Sequence, residues 1–204
     1  MLITAAQPRR KSLVALYIDN EFYADIDKET FMKSSWHIGD RIDEEEIEEL
    51  LFECLCSRAK NRGMYLLGFR DYSSKDMFYK LKTEFDEDSA RAAVDFLNEK
   101  GYINDDSYAR RLAADLVKRK KLSGYRLVSE LRMKGIEQGL AEDAAAEASE
   151  DIDKIEIIKA TLEKKYPYYT EDEKQKRRAY NALVRMGYSY GDINKAMSLH
   201  GESE

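Results

Sequence analysis

The sequence predicts a mainly α-helical protein, built as three tandem three-helix repeats in an elongated, curved array behind a small N-terminal β-hairpin unit with a short helix. Three observations support this prediction. Only two prolines, Pro8 and Pro167, occur among the 204 residues, so a long stretch of chain contains no helix-breaking residue. Apolar residues follow helical periodicity from residue 43 onward. Their pattern also recurs about every fifty positions, which is typical of tandem helical arrays.

The start of helical periodicity at residue 43 and the fifty-residue recurrence together predict four segments. They are 1–42 for the N-terminal unit, 43–103 for the first repeat, 104–150 for the second repeat, and 151–204 for the third repeat and a tail.

The N-terminal unit is predicted from a short apolar run and a turn. Residues 13–18 (LVALYI) and 21–26 (EFYADI) flank Asp19-Asn20, a pair that tolerates the positive φ angles of a tight hairpin turn. Residues 1–9 are expected to be a frayed end. Residues 27–35 are expected to form a short helix capped by Asp27, which covers the hairpin.

Helix starts and stops in the repeats are predicted from capping residues. The expected N-terminal caps are Ser73 or Ser74, Asp105 or Asp106, and Ser123. Gly101, Gly135 and Gly187 are expected to end helices in the left-handed conformation. In the first long helix, the predicted buried face comprises Ile47, Leu50, Leu51, Cys54 and Leu55.

The spacing of equivalent residues tests the repeat. Phe85, Ile136 and Tyr188 each follow a predicted middle helix, at separations of 51 and 52 positions. Equivalent positions before these residues are Leu81, Leu131 and Leu183, with one residue deleted in the first repeat. Equivalent positions after them are Ala90, Ala141 and Ile193, and then Val94, Ala145 and Met197.

Composition excludes several classes of protein. Cys54 and Cys56 cannot form a disulfide framework, and a tetrahedral zinc site would need two more ligands. The glycine spacing of residues 63–68 (GMYLLG) lacks the lysine and hydroxyl of a phosphate-binding loop. His37 and His200 are the only histidines, so imidazole chemistry is short of residues. We therefore expect a soluble, cytoplasmic, monomeric protein that uses no cofactor or metal and whose apolar stretches are too short for a membrane span.

Three segments resemble the RecX regulators of the RecA recombinase. They are residues 100–109 (KGYINDDSYA), 123–136 (SGYRLVSELRMKGI) and 183–193 (LVRMGYSYGDI), and the resemblance covers residues 43–199. Two departures are Thr83-Glu84-Phe85, where many members have a lysine-glycine pair, and a long middle helix in the third repeat. The resemblance implies a protein that binds RecA filaments on single-stranded DNA and restrains ATP hydrolysis, strand exchange and co-protease activity, and that is not itself an enzyme. The motif residues have structural explanations: Gly101, Gly135 and Gly187 as helix caps, Asp105 as an N-terminal cap, and Tyr102 and Tyr108 as core or hinge residues.

Charge is segregated along the chain although the net charge is only −6. Residues 108–135 contain nine Lys or Arg and two acids, whereas 40–53 and 137–156 each contain eight acids and one base. A basic stripe of this kind fits the phosphates of single-stranded DNA, as a weak auxiliary contact, or an acidic face of the recombinase filament. The predicted binding residues are Arg110, Arg111, Lys118, Arg119, Lys121, Tyr125, Arg126, Arg132, Lys134, Lys176, Arg177 and Arg178.

Other interpretations remain open at this point. The basic residues are also compatible with ordinary solvated helix faces. Each three-helix repeat is also compatible with a helix-turn-helix-like nucleic-acid-binding module, with the helix between Ser123 and Gly135 as the groove reader. A third interpretation is an inert helical scaffold.

Overall fold

The computed structural model describes residues 1–201, so residues 202–204 of the predicted tail and the side chain of His200 lie outside the described part. The described chain forms three strands and then ten helices. They are β1 (Ile3–Arg9), β2 (Leu13–Ile18), β3 (Glu21–Asp27), α1 (Lys28–Lys33), α2 (Glu44–Leu67), α3 (Ser74–Leu81), α4 (Glu87–Glu99), α5 (Asp105–Lys120), α6 (Gly124–Met133), α7 (Gln138–Glu147), α8 (Lys154–Lys165), α9 (Glu173–Met186) and α10 (Tyr190–Gly201).

The N-terminal sheet has three antiparallel strands in the order β1-β2-β3. The predicted hairpin is confirmed as β2 and β3, and Asp19 and Asn20 both have positive φ, at 50° and 71°. The expectation of a frayed end is wrong, because β1 pairs with β2 and its Ile3 is fully buried. A register shift between Ile3 and Ala5 interrupts the alternation of the strand, which hides it in the sequence.

The sheet packs against α1 and the first half of α2. Val14, Leu16 and Ile26 meet Ile47 and Leu50 in one apolar core. A three-stranded sheet has one face to bury, and α2 supplies the cover.

Asp27 precedes α1 as predicted, but its carboxylate does not cap that helix. It accepts a hydrogen bond from Nε of Arg58 on α2 at 2.9 Å, and Nη2 of Arg58 donates to the carbonyl oxygen of Asp25. A charge-assisted bond to a guanidinium is stronger than a neutral cap bond, which explains why the side chain turns away.

Helix α2 begins with a capping box between Asp43 and Glu46 and is buried on more than one side. Cys54 belongs to the core under the sheet, whereas Gly63 lies against Leu97 of α4. The prediction that Leu55 is buried is wrong, since that side chain is exposed. Covering α2 from two directions shifts the buried positions away from a single helical stripe.

The capping predictions for the later helices are partly wrong. Asn104, not Asp105 or Asp106, caps α5 by accepting a hydrogen bond from the backbone N–H of Ser107 at 2.8 Å. Asp105 instead accepts a hydrogen bond from the backbone N–H of Ser74 at 2.8 Å. Asn and Asp are equally good caps, so residue type alone does not choose among three consecutive candidates.

The serines at the starts of the middle helices α3 and α6 differ in whether their side chains cap the helix. Oγ of Ser73 accepts a hydrogen bond from the backbone N–H of Asp76 at 3.1 Å, as predicted. Ser123 occupies the N-terminal cap position of α6 but makes no such side-chain bond. Glu137 caps α7, which was not predicted.

The three-helix repeat is confirmed as α2–α4, α5–α7 and α8–α10 within the described residues, and in each set the first and third helices pair. The equivalent residues Leu81, Leu131 and Leu183 are fully buried, and so are Ala90, Ala141 and Ile193. The predicted left-handed glycines Gly101, Gly135 and Gly187 have φ of +71°, +82° and +97°. Tyr102 is exposed and is not a core residue, whereas Tyr108 is partly buried against the second repeat.

The described chain groups into two compact units. The first contains residues 1–71 and 77–103, and the second contains residues 72–76 and those from 104 onward. In the second unit, the cores of the second and third repeats are both contacted by Met186.

Candidate partner-binding surface

The predicted basic residues of the second repeat lie on α5, on α6 and between them. Arg110 and Arg111 lie in the first half of α5, whereas Lys118 and Arg119 lie in its last turn. Lys121 follows directly, with a left-handed φ of 57°. Since a helix rises about 1.5 Å per residue, Arg110 and Lys118 are about 12 Å apart along the axis. The structure therefore separates this set into two groups rather than one patch.

Three of the predicted arginines form ion pairs inside the second repeat. The pairs join Arg110 to Asp106 and Glu147, Arg119 to Asp115, and Arg126 to Glu130. The hydrogen bond and charge of Asp106 raise the pKa of Arg110 above its ordinary value. A carboxylate that already binds a guanidinium competes with a partner's phosphate or carboxylate, so these three arginines gain less from a new partner.

Arg111 donates a hydrogen bond to the hydroxyl of Ser107 at 3.1 Å. The remaining predicted cations have no carboxylate partner among the described residues. The unpaired cations are Lys118, Lys121, Arg132, Lys134, Lys176, Arg177 and Arg178. Lys118 also lies in the last turn of α5, where a positive charge stabilises the helix dipole. These are the side chains with most to gain from an anionic partner.

Tyr125 forms a hydrogen bond to the third repeat and is nevertheless largely exposed. Its hydroxyl donates to the carbonyl oxygen of Val184 on α9 at 3.3 Å, while the residue remains 64% exposed. Nearby, the hydroxyl of Tyr188 donates to the carbonyl oxygen of Lys121 at 2.9 Å, and burial raises the pKa of Tyr188 to about 12. Tyr125, one of the predicted binding residues, therefore also links the second repeat to the third.

The basic residues of the third repeat lie in the first half of α9 and are exposed. Successive residues of a helix point about 100° apart, so Lys176, Arg177 and Arg178 do not share one face. They form a weaker candidate surface than the cations of the second repeat.

A groove of about 840 Å³ lies beside α6, and sequence reasoning missed it. Two of its residues, Tyr125 and Arg132, belong to the predicted binding set, whereas Lys75 and Met133 do not. The helical spacing of the α6 residues was visible in the sequence. The opposite wall comes from segments distant along the chain, which no local pattern indicates. The lining residues are Ser74, Lys75, Asp105, Tyr125, Val128, Ser129, Arg132, Met133, Gly135, Ile136, Glu137, Gln138 and Glu142.

The described residues offer no grouping of three or more His, Cys, Asp or Glu side chains able to hold a metal ion. Cys54 and Cys56 are both buried, and burial raises the pKa of each thiol. A buried thiol with a raised pKa is a packing residue rather than a nucleophile. None of the helices described between residues 1 and 201 has the length and apolar character required to cross a bilayer.

Two parts of the chain match family models. Residues 104–144 match the second three-helix domain of RecX, and residues 151–197 match the third. These stretches correspond to α5–α7 and α8–α10, the second and third repeats of the structure.

Relatives that match over most of their own length also point to RecX. The regulatory protein RecX of Clostridioides difficile is 27% identical over 194 residues, which are 94% of this chain and 91% of the relative. The regulatory protein RecX of Trichlorobacter lovleyi is 35% identical over 130 residues, which are 62% of this chain and 84% of the relative.

Solved structures share the fold. A crystal structure of regulatory protein RecX superposes with a TM-score of 0.75 at 18% identity, covering 97% of this chain and 98% of the other. RecX from Lactobacillus salivarius superposes with a TM-score of 0.63 at 22% identity, covering 71% of this chain and 95% of the other. With two domains matched, a 35% identical relative covered over 84% of its length and the fold shared, the chain belongs to the RecX family.

Proposed function

We propose that this chain regulates a RecA-type recombinase by binding the filament that the recombinase forms on single-stranded DNA. Binding restrains ATP hydrolysis by the filament and, with it, strand exchange and co-protease activity. The chain catalyses no reaction in this scheme and needs no cofactor. Membership of the RecX family carries the proposal, because relatives that match over most of both chains are named regulatory protein RecX.

The unpaired cations of the second repeat support a contact with such a filament. Lys118, Lys121 and Lys134 are exposed and have no carboxylate partner among the described residues. A filament on single-stranded DNA presents phosphates and protein carboxylates, and neutralising phosphates releases counterions. We expect direct affinity for naked single-stranded DNA to be weak and salt-dependent, since acidic segments flank the cations.

The direct test is ATP turnover by the cognate recombinase on single-stranded DNA, with the intact protein added to preformed filaments. We expect turnover to fall at well below one molecule per recombinase protomer, because one bound molecule affects several protomers of a cooperative filament. Unchanged turnover with excess protein would contradict the proposal and favour an inert scaffold.

A triple variant tests which cations contribute. Replacing Lys118, Lys121 and Lys134 with Ala is expected to raise the concentration needed for half-maximal inhibition about tenfold, or roughly 1.4 kcal/mol. The matched control replaces Lys164, Lys165 and Lys195, three exposed lysines of the third repeat, and removes the same charge. Equal inhibition by the two triple variants would exclude a specific role for the second-repeat cations.

The geometry does not favour α6 as a groove-reading helix of a nucleic-acid-binding module. Recognition helices present their N-terminal residues to base edges. Here the start of α6 lies against the third repeat, because the backbone N–H of Ser123 donates to the carbonyl oxygen of Met186 at 2.9 Å. A titration of duplex DNA without recombinase separates the two functions: tight, sequence-selective binding would favour the module.

A further inference from the structure

The groove beside α6 has a wall made from one face of that helix. Tyr125, Ser129 and Met133 recur every four residues, and Val128 and Arg132 are also four residues apart, which places these side chains on one side of the helix. Lys75 and the residues of α7 that line the groove stand across from them. All the lining residues belong to the second unit of the structure.

Most of this face of α6 lies outside the core, although Val128 packs against the core of the second repeat. Leu127 and Leu131 are fully buried on the other side of the helix, whereas Met133 is 61% exposed and Tyr125 is 64% exposed. Exposed Tyr, Met and Arg side chains grouped in a concave surface are typical of protein interfaces, where such residues supply most of the binding energy.

The carboxylates of the groove already accept hydrogen bonds. Asp105 accepts a hydrogen bond from the backbone N–H of Ser74, and Glu137 accepts one from the backbone N–H of Gly139, each at 2.8 Å. The third groove carboxylate, on Glu142, accepts a hydrogen bond from the side-chain amide of Gln138.

The cations of the groove have no such partner. Lys75 and Arg132 form no ion pair with any described residue. The groove therefore offers two donors without acceptors beside an apolar wall, and the matching ligand carries a carboxylate next to an apolar side chain.

We propose that this groove binds a segment of the recombinase that places an apolar side chain against Met133 and an Asp or Glu carboxylate at Arg132. The inference rests on the proposed function, since it specifies where the partner docks. A peptide fits better than a nucleic-acid strand, because three carboxylates line the groove and repel a continuous chain of phosphates.

A matched pair of methionine variants tests the apolar contact. Met133→Gln keeps the length and helix propensity of the side chain but removes its apolar end. Met32→Gln makes the same change at a 72% exposed position on α1. The measurement is fluorescence anisotropy of recombinase filaments on a labelled oligonucleotide, titrated with each intact protein.

We expect Met133→Gln to weaken filament binding about tenfold and Met32→Gln to bind like wild type. Wild-type affinity of Met133→Gln would overturn the groove proposal and leave the proposed function intact. Failure of the wild-type protein to bind the filament would overturn both.

The occupant is identified by cross-linking. A benzoylphenylalanine placed at Glu142, an exposed residue of the groove wall, is expected to cross-link to a recombinase peptide that contains an Asp or Glu. Cross-links confined to the oligonucleotide or to a second copy of this chain, or the absence of any cross-link to the recombinase, would contradict the assignment.

Discussion

Gly187 ends α9 at a point where both its conformation and its missing side chain matter. Its φ is +97°, and a Cβ at this position would lie 1.9 Å from the carbonyl oxygen of Ser123. The backbone of α9 therefore meets the start of α6 at a distance that only glycine permits. Gly101 has a similar φ of +71° but nothing within 4 Å of an added Cβ.

Alanine variants of these two glycines separate the energetic cost of the steric overlap from the cost of the left-handed backbone conformation. Gly101→Ala is expected to cost about 1–2 kcal/mol for the left-handed backbone alone. Gly187→Ala is expected to cost about 3 kcal/mol or more, because the overlap with Ser123 is added. Urea unfolding of both variants measures the difference, and equal losses of stability would show that the junction relaxes.

Tyr188 makes the same junction sensitive to high pH. Burial favours the neutral phenol, so the pKa is raised to about 12 in the folded chain, compared with about 10 for an unperturbed tyrosine. Between these values the unfolded chain loses the proton and the folded chain keeps it. The stabilisation is therefore complete below pH 10 and is lost as the pH rises toward 12.

Tyr188→Phe is expected to lower the free energy of unfolding by about 1 kcal/mol at pH 8, because the hydrogen bond to the carbonyl oxygen of Lys121 is lost. Between pH 10 and 12 the free energy of unfolding of the variant is expected to fall less steeply with pH than that of wild type. The reason is that unfolding of the wild-type protein releases about one more proton in this range. Urea unfolding at several pH values measures both effects, with Tyr168→Phe as an exposed control. Parallel pH curves for Tyr188→Phe and wild type would contradict this role.

At the scale of the elements, the middle helices of consecutive repeats begin with equivalent serines in different roles. Oγ of Ser73 accepts a hydrogen bond from the backbone N–H of Asp76 and donates one to the carbonyl oxygen of Lys134 at 2.7 Å. Ser123 makes no side-chain cap bond at the start of α6. One serine thus caps its helix and also joins the next middle helix, whereas the other does neither through its side chain.

The serine pair predicts unequal effects of the same substitution. Ser73→Ala is expected to destabilise the protein by about 2 kcal/mol, because a cap is lost and a partly buried carbonyl oxygen loses its donor. Ser123→Ala is expected to cost only a few tenths of a kcal/mol. Thermal or urea unfolding compares the two variants, and a larger loss for Ser123→Ala would reverse the assignment.

At the scale of the whole molecule, charge segregation matters more than the net charge of −6. Some of the basic residues are neutralised by acids of the same repeat, as in the pair between Arg110 and Glu147, 37 positions apart. The unpaired cations are left to meet an anionic partner. Because exposed charges are screened by salt, their contribution is expected to depend on ionic strength.

The salt dependence of filament binding tests that distribution. Affinity is expected to fall steeply between 50 and 200 mM KCl. The Lys118, Lys121 and Lys134 triple variant is expected to show a log–log slope smaller by about 2, since each phosphate contact on a single strand contributes about 0.7. The Lys164, Lys165 and Lys195 control is expected to keep more of the wild-type slope. Identical slopes for both variants would mean that the second-repeat cations do not meet phosphates.

The repeat positions could be predicted because they depend on local periodicity. Leu81, Leu131 and Leu183 lie at corresponding turns of the middle helices, and the spacing of apolar residues alone identifies them. Strand β1 could not be predicted, since its alanines, glutamine and proline have no clear alternation and it is a strand only because β2 pairs with it.

The amino-acid sequence by itself determined the three-helix period, the turn at Asp19-Asn20, the glycine helix ends and the family resemblance, because these features depend on residues close together in the chain. Only the tertiary structure decided which cations keep a free charge, which serine caps its helix, and that Lys75 and Arg132 line one groove. Ion pairs and grooves join residues that are distant in sequence, and their formation depends on how the helices pack.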